Sequence, residues 1–215
     1  MRSMDNKLTR VRVKICGITR PEDALVAANC GADAIGMVFY KPSPRAISIP
    51  RACEITGQLP PFISKVALFV NAEQDFIKEV LSSVAIDILQ FHGEETPEQC
   101  SQYAKPFIKA IRMQDNVDLV EIEKQYKSAA ALLVDTYVQG EAGGTGRVFD
   151  WSRIPGGLDK PLILAGGLTA GNVVDAINQV KPYAVDVSGG VESGKGIKSA
   201  EKVAEFIQEV RHAKY

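Results

Sequence analysis

The chain has 215 residues, 46% of them hydrophobic and 24% charged, with 25 basic and 26 acidic side chains and a formal net charge of −1. That even balance argues against nucleic acid or an anionic membrane as a main partner, because both require a concentrated basic surface. The four cysteines (Cys16, Cys30, Cys53, Cys100) form no CxxC pair and have only His92 and His212 to join them, so no metal site is expected.

The start, MRSMDNKLTR, lacks the apolar centre of a signal peptide, and no stretch approaches roughly 18 apolar residues, so a cytoplasmic protein with free thiols is expected. Residues 1–10 read as a flexible extension. From Val11 the run VRVKIC has the short β-branched character of a strand, and Thr19 stands where it can cap a helix opened by Pro21. A second strand is expected in AIGMVFY from Ala34 and a third in KVALFV from Lys65. Ala72 to Val84 follows as a helix with Phe76, Ile77, Val80 and Leu81 on one face. DILQFH from Asp87 is the fourth strand, and Thr96-Pro97-Glu98 opens the next helix. FIKAIR from Phe107 and AALLVDT from Ala130 are strands five and six, after which FDWSRI leaves room for only a short sixth helix. PLILAGG from Pro161 and AVDVSGG from Ala184 complete the strands. Thr169-Ala170-Gly171-Asn172 begins a helix between them, and Ser199 to His212 forms a long last one.

Eight strands about 25 residues apart on average, each followed by a helical segment, predict α/β architecture with a closed parallel sheet. The expectation is a (β/α)8 TIM barrel with short loops, one domain over residues 1–215, since no Pro/Ser-rich linker divides the chain. The structural rival, a doubly wound open sheet, would usually carry GxGxxG after the first strand, where this chain reads Cys16-Gly17-Ile18-Thr19.

Catalytic groups of such barrels project from the C-terminal strand ends, and alternation along each strand selects those that point inward. In strand one Val11, Val13 and Ile15 belong against the helices, which turns Lys14 and Cys16 inward. In strand six Asp135 faces in, and in strand eight Asp186 and Ser188 do. Lys14 and Asp186 then form an ion pair beneath the pocket, because a lone buried charge is too costly. The Gly pairs Gly166-Gly167 and Ser188-Gly189-Gly190, with the helix start at Thr169–Asn172, make a cradle for phosphate. Gly143-Gly144-Thr145-Gly146 reads as a mobile loop that closes over it. Cys16 is a candidate base and Asp135 a candidate acid. Arg45, in a loop after strand two stiffened by Pro42 and Pro44, either clamps a carboxylate or lies on the surface. His92, inward after strand four, either orients substrate or caps the pocket, and Arg112 at the end of strand five is similarly open. Cys30, Cys53 and Cys100 fall on helices and read as packing residues.

These strings together resemble the phosphoribosylanthranilate isomerase family. The similarity is carried by VKICGIT at 13–19, GADAIGMVFYKPSPR at 31–45, VALFVN at 66–71, LQFHGEE at 89–95, LLVDT at 132–136, GGTG at 143–146, LAGGL at 164–168 and DVSGGVE at 186–192. The resemblance implies a cofactor-free Amadori rearrangement of N-(5-phosphoribosyl)anthranilate in tryptophan biosynthesis. It assigns Cys16 as general base, Asp135 as general acid and Arg45 to the anthranilate carboxylate. Phosphate falls to the backbone of Gly144, Thr145, Gly146, Gly166, Gly167, Ser188 and Gly189; His92, from its inward place after strand four, stays a further substrate-binding candidate. The alternatives are a sugar isomerase of histidine biosynthesis, which is expected to carry Asp where Cys16 stands, and a non-catalytic phosphosugar-binding barrel. No wide apolar face stands out, so a monomer is expected, with a dimer left open.

Overall fold

The computed structural model describes residues 10–114, 116–135 and 151–213. Eight strands form a closed barrel in chain order: β1 (Arg12–Cys16), β2 (Ala34–Val38), β3 (Ser64–Phe69), β4 (Ile88–Phe91), β5 (Phe107–Arg112), β6 (Ala131–Asp135), β7 (Leu162–Ala165) and β8 (Ala184–Val187). All neighbours are parallel, and β8 closes on β1 with Lys14 level with Asp186. Each strand begins within one residue of its expected start.

Both faces of these strands are buried, one by the helices and one by the barrel's own filling, which is why they read as near-continuous apolar runs. The helices are α1 (Pro21–Cys30), α2 (Ile49–Gln58), α3 (Gln74–Ser83), α4 (Pro97–Ser101), α5 (Leu119–Gln125), α6 (Val173–Val180) and α7 (Ala200–His212). Val13, Ile15, Ile35, Met37, Phe69, Phe91, Val185 and Val187 pack under them, joined by Ile77 and Val80 of α3 and Phe206 and Ile207 of α7. Inside the barrel Ile108, Ala110, Leu133, Ile163, Ala165 and Ala184 form the lower filling, and Cys16, Val38 and Leu68 a layer nearer the mouth. The expected alternation of β1, β6 and β8 is therefore the one observed.

Helix starts follow local chemistry. Thr96 caps α4 in a reciprocal capping box with Gln99, and Ser199 accepts from the Lys202 N–H at the start of α7. Two expected starts are corrected. Arg20, not Thr19, precedes α1 and gives no side-chain cap, because the Thr19 hydroxyl donates instead to the carbonyl of Gly196. Thr169–Asn172 is a turn before α6 rather than its first turn; Asn172 folds back, accepting from the Thr169 N–H and donating to the Gly167 carbonyl. Of the expected short sixth helix, the described residues show a 3-10 turn at Trp151–Arg153, with the indole buried. After β8 comes a feature the periodicity did not announce, an antiparallel pair β9 (Glu192–Gly194) and β10 (Ile197–Lys198). Among the cysteines, Cys100 is fully buried as expected, but Cys53 is exposed, its thiol donating to the Ser83 carbonyl at 3.3 Å, so it is not a core packing residue. No helix among the described residues is long and apolar enough to cross a membrane.

Candidate active site

The mouth of the barrel gathers the polar strand ends. Cys16 ends β1 and points inward, 7% exposed, above Lys14. Lys14 Nζ donates to Asp186 Oδ2 at 2.8 Å, with both side chains almost wholly buried. Burial disfavours the Lys14 charge, but Asp186 and Cys16 outweigh it and hold the ammonium protonated. The Cys16 thiol is pushed up, first by burial and further by Asp186, while Lys14 and Lys198 pull it down.

On the other side of the barrel Asp135 ends β6. Its Oδ2 lies 3.3 Å from Nε2 of His92, the residue just after β4. The other imidazole nitrogen, Nδ1, lies 3.3 Å from the amide nitrogen of Gln90, which fills the barrel interior. When Gln90 donates there, Nδ1 is the acceptor and the neutral ring keeps its proton on Nε2, aimed at the carboxylate. The turn that carries His92 is anchored from behind. Glu95 accepts from the N–H groups of Asn71 and Gly93, and Lys109 donates to both Glu95 Oε2 at 2.9 Å and the Gly93 carbonyl at 2.7 Å. Both charges of this pair are buried and satisfied, the condition for a buried ion pair to hold its place. Arg112 stands level with Asp135 on the neighbouring strand, on the inward register, with its side chain exposed at the rim.

The loops after β7 and β8 meet backbone to backbone. A Cβ at Gly190 would stand 1.9 Å from the Leu168 carbonyl oxygen, so only glycine permits this approach. The contact joins the loop after β8 to the loop after β7, and the space where a Gly167 side chain would stand is open. Arg45 reaches the same corner. Its stem crosses Gly17, whose φ of +72° and missing Cβ, 2.4 Å from Arg45 Cδ, both exclude another residue. The guanidinium makes two bonds of 2.7 Å to Glu192 through Nε and Nη2, and Glu192 also takes Lys198 Nζ at 2.9 Å. Gly144, Thr145 and Gly146 lie outside the described residues. Among those described, no group of three or more His, Cys, Asp or Glu could hold a metal ion.

Residues 13–209 match the family model for N-(5'-phosphoribosyl)anthranilate (PRA) isomerase. The chain belongs to this family. It is 58% identical over 201 residues to the N-(5'-phosphoribosyl)anthranilate isomerase of Pseudomonas paraeruginosa, covering 94% of this chain and 95% of that one. The solved phosphoribosyl anthranilate isomerase of Thermotoga maritima superposes with a TM-score of 0.84 at 42% identity, covering 94% of this chain and 99% of the other. A second PRA isomerase structure, in complex with reduced 1-(o-carboxyphenylamino)-1-deoxyribulose 5-phosphate, gives 0.82 at 41% identity over the same shares of the two chains.

The inward placement of Cys16, His92 and Asp135 at the strand ends of this PRA isomerase, and the pairing of Lys14 with Asp186, agree with the alternation read from sequence. Glu192, Lys198, Gln90, Lys109 and Glu95 were not singled out. Gln90 and Lys109 sit on strands, where alternation places Gln90 inward. That one signal was present. Glu192 and Lys198 lie beyond the eight strands, where no period applies.

Proposed function

We propose that this PRA isomerase opens and rearranges N-(5-phosphoribosyl)anthranilate to 1-(2-carboxyphenylamino)-1-deoxyribulose 5-phosphate, in tryptophan biosynthesis, with Asp135 as general acid and Cys16 as general base. The observation that carries the reading is the pairing of an inward thiol over Lys14 at the end of β1 with a carboxyl held by His92 at the end of β6, facing one barrel mouth. The complex of a related isomerase with the reduced product analogue supports the substrate class.

The steps follow from those positions. Asp135 delivers a proton to the furanose ring oxygen as the bond from that oxygen to C1 breaks, and the anilino nitrogen supplies the electron pair that makes the iminium ion. Cys16 takes the C2 proton in its thiolate form, which the ammonium groups of Lys14 and Lys198 favour against burial. The C–H electrons form the enolamine, which tautomerises to the ketone. The nitrogen serves as the electron sink, so the reading calls for no cofactor. The cradle of Gly166, Gly167, Ser188 and Gly189, together with Gly144, Thr145 and Gly146, binds the phosphate, and Arg45 binds the anthranilate carboxylate. Anchoring at both ends holds C2 between acid and base, which is catalysis largely by orientation.

Cys16→Ala and Asp135→Asn are each expected to lower kcat by roughly 10²- to 10⁴-fold with an unchanged melting profile. The loss of anthranilate-type fluorescence on mixing with freshly made substrate measures this. Near-normal turnover in either variant removes that residue from its role. Activity on the histidine-pathway aminoaldose in place of this substrate would overturn the whole assignment.

A further inference from the structure

Glu192 lies outside the barrel strands, on β9, yet it joins Arg45 to the turn after β8 through Lys198. Its side chain is 8% exposed. Oε1 accepts from both Arg45 Nε and Lys198 Nζ, and Oε2 accepts from Arg45 Nη2. Lys198, whose side chain is wholly buried, extends the chain of contacts: its Nζ lies 3.1 Å from the Ser188 carbonyl and 3.5 Å from the Ser188 hydroxyl. The hairpin that carries both residues is fixed to the first βα turn, since Asp23 accepts from the Lys198 N–H at 3.0 Å and Thr19 donates to Gly196. Glu192 is held ionised by Arg45 and Lys198 although burial alone would push it up.

We infer that Glu192 is a positioning residue: its bidentate bond fixes the plane of the Arg45 guanidinium, so that the N–H groups left over are presented to the carboxylate of the substrate. The inference rests on the reading of Arg45 as the carboxylate-binding group. Arginine has five N–H donors in a rigid fork, and engaging Nε and one Nη2 hydrogen leaves the Nη1 pair and the second Nη2 hydrogen aimed away from Glu192. A long side chain already docked in the free protein loses little rotamer freedom when ligand arrives, which is worth about 2- to 12-fold in affinity. Two cations on one carboxylate also leave this cluster with a net positive charge, suited to an anionic ligand. Lys198 joins the same carboxylate to Ser188, so the grip on the carboxylate and the turn of the phosphate cradle move as one unit.

Position and charge make opposite predictions for Glu192→Gln. Removing a negative charge alone should tighten the binding of an anion. Losing the docked geometry should weaken it, because an amide turns a donor toward a donor and cannot accept from both cations.

The test is titration of two reduced product analogues, one with the ortho-carboxylate and one with a plain aniline ring, against the wild type, Glu192→Gln, Glu192→Asp and Arg45→Ala. Glu192→Gln is expected to weaken the carboxylate-bearing analogue about tenfold or more and to leave the aniline analogue within about twofold. Glu192→Asp keeps the charge but shortens the reach, and is expected to lose selectivity in the same direction; it serves alone if the Gln variant does not fold. Equal weakening of both analogues, or tighter binding of the carboxylate-bearing one, overturns the inference. If Arg45→Ala discriminates between the analogues while the Glu192 variants do not, the inference alone fails. If Arg45→Ala does not discriminate, the reading of Arg45 fails and takes the inference with it.

Discussion

Cys16 shows how much of a residue's chemistry is set by what it cannot reach. Water is largely kept from the thiol, so burial raises its pKa above the ordinary 9.0, and only the two nearby ammonium groups, Lys14 and Lys198, work against that. In the free protein the rate of iodoacetamide alkylation at Cys16, followed by peptide mass, is therefore expected to rise through pH 9 without levelling below it; a plateau reached near neutrality contradicts this account. Lys14→Met removes one lowering cation and leaves Asp186, so the same titration shifts further up. That variant also strands a buried carboxylate, and urea unfolding is expected to register a loss of about 3–5 kcal/mol. The remaining thiols provide an internal control. Exposed Cys53 should react quickly in the native protein. Cys100, fully buried and pushed up to about 12, should react only on unfolding.

At the scale of elements, the two loops that follow β7 and β8 act together because of a single bare Cα. Gly190→Ala forces the Leu168 carbonyl away from a Cβ that would stand 1.9 Å from it, and so parts the two loops proposed to bind phosphate. A hydrogen bond to a charged group is worth about 1.5–3 kcal/mol, so losing one raises KM roughly 10- to 150-fold. Competitive inhibition by inorganic phosphate should weaken in parallel; an unchanged inhibition constant means that the cradle does not depend on this contact. The strands were legible because eight repeats of the same period reinforce one another. Alternation named inward residues at the ends of strands one, four, five, six and eight, but not Val38 or Leu68 of strands two and three. The β9–β10 pair was not legible. Its strands have three and two residues, too short for any period, and its value lies in side-chain bonds to residues far away in the chain. Thr19 was misread for a related reason. A hydroxyl before Pro21 looks like a helix cap, but its partner, Gly196, is 177 residues distant.

For the whole molecule, several native carboxylates sit below their usual range. Burial opposes ionisation at both Glu192 and Asp33, but Arg45 and Lys198 at the first, and Arg10 with the Val13 N–H at the second, more than offset it. The unfolded chain therefore binds protons at these sites before the native one does. Stability is full above the ordinary carboxylate range and falls as pH drops through the lowered native values. The urea midpoint is expected to hold near pH 6 and to decline below about pH 4, and Glu192→Gln should flatten part of that decline.

One pairing bears on how such a molecule comes into being. Lys14 and Asp186 stand 172 positions apart, on the first and last staves of the barrel. As the chain leaves the ribosome the ammonium emerges early, and its counter-charge arrives only when synthesis is nearly done. A nascent barrel lacking its eighth stave leaves that ammonium without its partner carboxylate, so burying it at closure must await β8. Chains cut after α6 are therefore expected to unfold at lower urea than the full chain, because the ammonium beside Cys16 has lost its partner.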